Sequence, residues 1–321
     1  MLKNVLSLFD GIAAARVALD RADIPVESYF ASEIDSNAIA VASANWGDIT
    51  HLGDICKLTG EGMNIDLLIG GSPCQDLSIE RGRNREGVGG NKSSLFFEYV
   101  RLLHKTRPKY FVLENVHSMS KKDRDIITGE LGVEPVMLDA ALVSAQRRRR
   151  LFWVGVREGH GYVSANIVQP SDRGMRIWDI LEDNVESEYY VLRQSKRDLV
   201  LGNEPFQVIR EERTPEGKQM RRQYTAELGR DYMPRNGQTK AYYGRPVDKA
   251  NCLLTSPSLN NAIVQRGVPR MTTPTEWERL MGIPDGYTSM VSTGERYKLI
   301  GNAFHVDIVA HILRNVLNRG L

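Results

Sequence analysis

Short apolar runs alternate with amphipathic stretches through the first half of the chain. Residues 4–9 (NVLSLF) predict a strand and 13–21 a helix. Residues 28–32 predict a second strand, and 36–44 a second helix capped by Asp35 or Ser36. The run IDLLI at 65–69, ending on Gly70-Gly71, predicts a buried strand. Residues 93–105 form an amphipathic pattern with Leu95, Phe96, Tyr99, Leu102 and Leu103 on one helical face. Further strands are predicted at 110–113 and 151–156. Strands alternating with helices imply βαβ units around a mainly parallel sheet, an α/β fold. From 193 to 270 the periodicity fades and Gly and Pro accumulate, with the acidic stretch 178–188 as a link. Helical patterns return at 274–281, where Thr273 caps a helix with Pro274 at its first position, and at 304–317. The expected organisation is a catalytic part at 1–177, a second part with its linker at 178–270, and a C-terminal part at 271–321 that returns to the first. No repeat of solenoid length is present.

Composition narrows the class. Hydrophobic residues make up 41% and charged residues 26% of 321, which argues against disorder and fibrous repeats. No apolar run reaches the roughly 18–20 residues of a membrane helix, and the first residues lack a secretory signal, so no membrane partner is expected. Three cysteines do not make a disulfide framework; a reducing, cytoplasmic location is expected. Cys56 and Cys252 have no partners at metal-binding spacing and read as structural, with no metal expected. The net charge of +2 hides an asymmetry. Residues 193–270 hold 15 Lys plus Arg against 8 Asp plus Glu, a net of +7, which leaves −5 elsewhere. Tyr224, Tyr232, Tyr242 and Tyr243 are interleaved with Arg235, Lys240 and Arg245 there. Such a segment is either a solvated loop region or the electrostatic footprint of a phosphate backbone.

In an open parallel sheet, ligands bind beyond the carboxyl ends of the strands. The residues there are chemically pointed. After the first predicted strand comes Asp10-Gly11-Ile12-Ala13-Ala14, a small-residue turn opening a helix. After the second comes Glu33, about 20 positions on, where an acid binds ribose hydroxyls. Gly53-Asp54, then Ser72-Pro73-Cys74-Gln75, then Glu114-Asn115 follow at later strand ends. A reactive thiol and a carboxyl beside a ribose-type acid form a set.

This set resembles the DNA (cytosine-5) methyltransferase family. Pro73-Cys74-Gln75, Glu114-Asn115-Val116, Gln146-x-Arg148-x-Arg150, EWERLMGIP at 276–284 and Gly301-Asn302-Ala303 occur in that family's order. The wording of residues 6–12 and 70–79 is similar to the mammalian de novo branch, although Gln75 stands where that branch has Asn. The resemblance implies a Rossmann-like methyltransferase sheet with a smaller target-recognition domain, S-adenosylmethionine as cofactor and double-stranded DNA as substrate. It implies Phe9, Asp10, Gly11, Ile12, Glu33, Ile34, Asp54, Ile55, Asn302 and Ala303 at the cofactor. It implies Pro73, Gln75, Ser78, Asn115 and Gln146 around the substrate, Gln146 supporting the catalytic loop. Ala13 and Ala14 stand in place of the family's glycines.

The chemistry follows from the resemblance. Cys74 would add to C6 of a flipped-out cytosine, a good nucleophile because thiols ionise near neutral pH. Glu114, kept protonated by burial, would face N3. Arg150 would contact the base O2 and Arg148 hold the site. The alternation of Arg148 and Arg150 puts both on one side of an extended segment; a basic surface patch is the other reading of 147–150. Residues 78–92, with four Gly and four Lys or Arg, suit either a lid over DNA or an ordinary surface loop. The basic segment becomes the target reader, with Arg221, Arg222, Arg235 and Arg245 as candidates. Rival functions are a transfer-RNA methyltransferase, a silent DNA binder, or an enzyme adding another group. The Cys-Phe-Thr signature of the first is missing, since Leu253-Leu254 follow Cys252.

Overall fold

A computed structural model describes residues 1–72, 95–190, 199–229 and 240–317. Pro73, Cys74, Gln75, Ser78, Tyr232 and Arg235, and the predicted lid at 78–92, therefore lie outside the described residues. The first half lays down β1 (Leu2–Leu8), α1 (Ala14–Arg21), β2 (Val26–Ser32), α2 (Ser36–Asn45), β3 (Ile49–His51) and β4 (Leu67–Gly71). Next come α3 (Leu95–Thr106), β5 (Tyr110–Val116), α4 (Lys121–Leu131), β6 (Pro135–Asp139), β7 (Arg149–Glu158) and β8 (Gly161–Ser164). The sheet order is β3-β2-β1-β4-β5-β7-β6, with β8 added beside β7. Pairs from β3 through β5 are parallel, and β5–β7, β6–β7 and β7–β8 are antiparallel. The fold is the α/β arrangement that the alternation predicts, with an antiparallel margin.

The chain leaves β1 toward β2 and β3, then returns to place β4 on β1's other side. That reversal opens a crevice at the carboxyl ends of β1 and β4. Alternation along β1 sends Val5 to one core and Leu6 and Leu8 to another. α3 and α4 cover the Leu6 face through Phe96, Tyr99, Leu103 and Ile127. The Val5 face is covered by α1 and by helices from the end of the chain. These are α6 (Pro274–Met281), α7 (Thr293–Asn302) and α8 (Val306–Leu317). α6 begins as its sequence predicts: Thr273 and Glu276 form a reciprocal cap with Pro274 in the first turn. Glu276 is also fully buried against Arg270, at 2.5 Å.

The basic segment is not a loop region. It forms β9 (Leu199–Val200), β10 (Phe206–Arg213), α5 (Pro215–Leu228), β11 (Lys240–Arg245), β12 (Ala262–Gln265) and β13 (Val268–Met271). The sheet order is β13-β12-β10-β11-β9. Its strands escape periodicity because the sheet's own core is small: Ile209, Ala262 and Val264. α5 escapes because only Gly217 is buried along it. Among the described residues no helix is long and apolar enough to cross a membrane.

Candidate active site

The crevice closes into a cavity of about 240 Å3. Phe9, Asp10, Gly11, Glu33, Asp35 and Ala38 line one end; Ser72, Glu114, Val116, Arg148 and Arg150 line the other. Leu299, Gly301, Asn302, Ala303 and Phe304 close it.

At the first end, the turn after β1 is held in the left-handed region at Phe9, Gly11 and Ala13, with φ of 56°, 59° and 61°. Alanine thus takes a conformation that glycine adopts without strain. The turn is tied to the end of β2 by Glu33. One oxygen accepts the Gly11 N–H at 2.8 Å, and the other accepts those of Ile34 and Asp35 at 2.7 and 2.9 Å. Asp35 caps α2 and pairs with Lys298, which holds its carboxyl below the usual range. Asp10 is buried, and its Oδ1 accepts the Tyr29 hydroxyl at 2.6 Å. Its Oδ2 has no hydrogen-bond partner among the described residues. Burial pushes this carboxyl up to about 7, opposed by the Ser7 and Tyr29 hydroxyls and reinforced by Glu33.

At the other end, β5 and β7 supply the charged groups. Val116 stands opposite Arg150 in the antiparallel register, so Glu114, two residues along, is Arg150's diagonal neighbour on the same face. Arg150 Nε lies 2.8 Å from Glu114 Oε1. The side chains are 17% and 16% exposed, so Glu114 is an ion-pair partner and not the isolated buried acid expected. Arg148 points the same way, as alternation predicts, but serves differently. It is buried, and its guanidinium donates to the carbonyls of Leu253, Gly301 and Ala303 at 3.1–3.2 Å. Burial above all lowers its pKa from the ordinary value. Cys252 is drawn in as well: its Sγ accepts from Arg148 at 3.6 Å and Arg150 at 4.0 Å. Cys252 thus seats both arginines, whereas Cys56 is exposed on the short turn that Asp54 caps.

Several expected contacts are not brought to the cavity. Ile12 is fully buried in the core. Ile34 is 76% exposed beside Glu33. Asp54 caps the short turn that follows it, with Ile55 buried behind, next to β2 because Ser32 Oγ donates to the Gly53 carbonyl. Gln146 is fully buried. Its amide donates to the Leu280 carbonyl at 2.7 Å and its oxygen accepts the Leu253 N–H. Asn115 is also buried, and donates to Ser72 Oγ at 3.1 Å, fixing the end of β4. Both hydrogen-bond within the framework beside the cavity. Sequence reasoning missed Phe304 and the role of Gly71. A Cβ on Gly71 would stand 2.9 Å from the Phe304 ring, so only glycine lets that ring close the cavity. A Cβ on Gly301 would meet the Leu254 carbonyl at 1.7 Å.

A separate open groove of about 720 Å3 lies along α5, lined by Arg213, Lys218, Arg221, Arg222, Thr225 and Ala226. Four of its six described lining residues are cations.

The sequence pattern of the C-5 cytosine-specific DNA methylase family matches residues 3–318. The chain belongs to that family. Membership makes it a DNA cytosine-5 methyltransferase by class. The Type II methyltransferase M1.ScrFI of Lactococcus lactis subsp. cremoris is 28% identical, over 98% of this chain and 78% of the relative. The Type II methyltransferase M.HpaII of Haemophilus parainfluenzae is 27% identical, over 98% and 89%. An Entamoeba histolytica methyltransferase, EhMeth, matches in structure with a TM-score of 0.66 over 100% and 99% of the two chains. At 15% identity that likeness speaks for the methylase fold alone.

Proposed function

We propose that this methylase transfers a methyl group from S-adenosylmethionine to C5 of a cytosine flipped out of duplex DNA. The observation that carries the reading is a single cavity with a carboxylate-anchored turn at one end and Glu114 with Arg150 at the other. Ser72, on its wall, is two positions before Cys74. The residues fit the cofactor: Glu33 is fixed where a ribose diol would meet it, and Gly11, with nothing within 4 Å of where a Cβ would stand, leaves open space beside the turn. When bound, S-adenosylmethionine supplies an electrophilic methyl group.

C5 of cytosine is a weak nucleophile until the ring is opened to addition. Cys74 adds its thiolate to C6, forming an S–C6 bond and pushing electron density to C5. Glu114 accepts a hydrogen bond from the N3 of the adduct as that nitrogen takes up a proton, and its ion-pair partner Arg150 donates to O2. After C5 has taken the methyl group, its proton leaves to a base, the S–C6 bond breaks, and Cys74 departs as thiolate. Arg148 works at one remove, holding Gly301 and Ala303 against the cavity. The α5 groove offers cations for the phosphate backbone, the sequence-independent part of DNA affinity.

The test is a plasmid expressing the chain in a host without cytosine methylation, sequenced with chemistry that reports modified cytosines. Methylation in one sequence context is expected. Cys74→Ala is expected to lose it by more than about a thousandfold while retaining DNA binding by gel shift. Normal methylation by Cys74→Ala would refute the covalent route.

A further inference from the structure

The second sheet separates two kinds of arginine. Along β10, Val208, Arg210 and Glu212 share a face by alternation. Their partners on β11 are Arg245, Tyr243 and Ala241, which point to that same face. Val208 belongs to the large core with Leu253 and Trp277, so this face is turned toward the cavity half of the molecule. Arg210 confirms the direction, donating to the Lys249 carbonyl at 3.5 Å.

Arg245 is laid flat along this face. Its Nε and Nη2 meet the two oxygens of Glu212 at 2.8 and 2.7 Å, and its guanidinium carbon lies 4.9 Å over the Tyr243 ring. One edge of the guanidinium is thus held by a carboxylate and its plane by an aromatic ring. Of five N–H donors two are used, and Nη1 has no partner among the described residues. The side chain stays 43% exposed. The arginines of α5 sit on a helix with one buried residue, a mount suited to tracking phosphates. Reading a base edge requires a fork fixed before contact, because misaligned donors lose the two-bond match to guanine O6 and N7.

We infer that Arg245, buttressed by Glu212 and Tyr243, reads a guanine of the target site through its outward donors. The inference rests on the DNA reading above and adds a specificity residue to it. Arg245 touches no reacting atom. Its effect falls on which sites are methylated.

The experiment is the base-resolved plasmid map, repeated for Arg245→Ala, Arg245→Lys and Glu212→Gln, with Lys218→Ala/Arg222→Ala as the backbone control. Arg245→Ala is expected to lose about 5- to 100-fold of its preference for guanine at one position of the site. Arg245→Lys keeps the charge without the fork and is expected to lose that preference similarly. Glu212→Gln weakens the buttress and shifts the same position by less. The control pair is expected to weaken binding at all sites and flatten the dependence of affinity on salt. Arg245→Ala leaving the wild-type map unchanged would overturn the inference alone. So would a uniform loss across contexts that Arg245→Lys restores, which marks a phosphate contact. An unmodified plasmid from the soluble wild-type protein would instead overturn the DNA reading together with this one.

Discussion

The two sheets are built to different standards. The first is sandwiched: α3 and α4 fill one side with Phe96, Tyr99 and Ile127, and α1 with α6 and α8 fills the other. Among the described residues the second buries Ile209, Ala262 and Val264 in a core of its own, edged by Leu199, Tyr242, Leu259 and Met271, and shares Val208 and Ile263 with the first. The lesson concerns tolerance. Glu33, Glu114 and Arg150 need fixed geometry and stand on the sandwiched sheet. A surface that follows a long polymer can sit on a thinner support, provided that any residue reading a base is braced locally, as Arg245 is.

The largest expected effect that sharpens this contrast comes from two adjacent residues on opposite faces of β10. Ile209→Ala, within the small core, is expected to cost about 2–4 kcal/mol. Hydrogen exchange should show protection lost along β9–β13 while β1, β4 and β5 stay protected. Val208→Ala, in the shared core, is expected to cost about 2 kcal/mol and lower the main unfolding transition instead. Identical exchange patterns for the two would mean that the sheets unfold as one.

An intermediate effect is expected from Asp10. Its folded pKa of about 7 lies above the ordinary 3.8. Between those values the folded chain keeps a proton that the unfolded chain releases, so stability falls as pH rises from about 4 to about 7 and levels off above. Asp10→Asn should remove that slope in urea denaturations run across the window. A slope unchanged in the variant would show that the proton sits elsewhere.

The smallest expected effect is a gain. Ala13 holds a φ of 61°, so Ala13→Gly should raise stability by about 1 kcal/mol without altering the cavity wall. Equal or lower stability in chemical denaturation would mean that the turn holds Ala13 at no cost.

The sandwiched sheet was legible because burial on both faces writes unbroken apolar runs such as LLI before Gly70 and FVL before Glu114. Glu114, just past such a run, is conspicuous, as Glu33 is after the second strand; Arg150 precedes the apolar run of its own strand and is pointed out by the family resemblance. Residue type does not distinguish a ligand contact from a buried hydrogen-bond partner, so nothing in the sequence announces the framework hydrogen bonds that Gln146 and Asn115 make. α7 went unpredicted because Thr293–Asn302 mixes charges with few apolar positions. The contact of Gly71 with Phe304 joins two distant parts of the chain and leaves no local pattern.

Arg148 has a consequence for biosynthesis. It gathers the carbonyls of Leu253, Gly301 and Ala303 around one guanidinium, and Asn302 and Phe304 form part of the cavity wall. A nascent chain that has emerged only as far as residue 290 already carries Glu33, Glu114 and Arg150, yet lacks the wall that turns them into an enclosure. The enclosure therefore closes only when residues 299–304 dock on Arg148, in a single step, and not gradually as each reactive group is made.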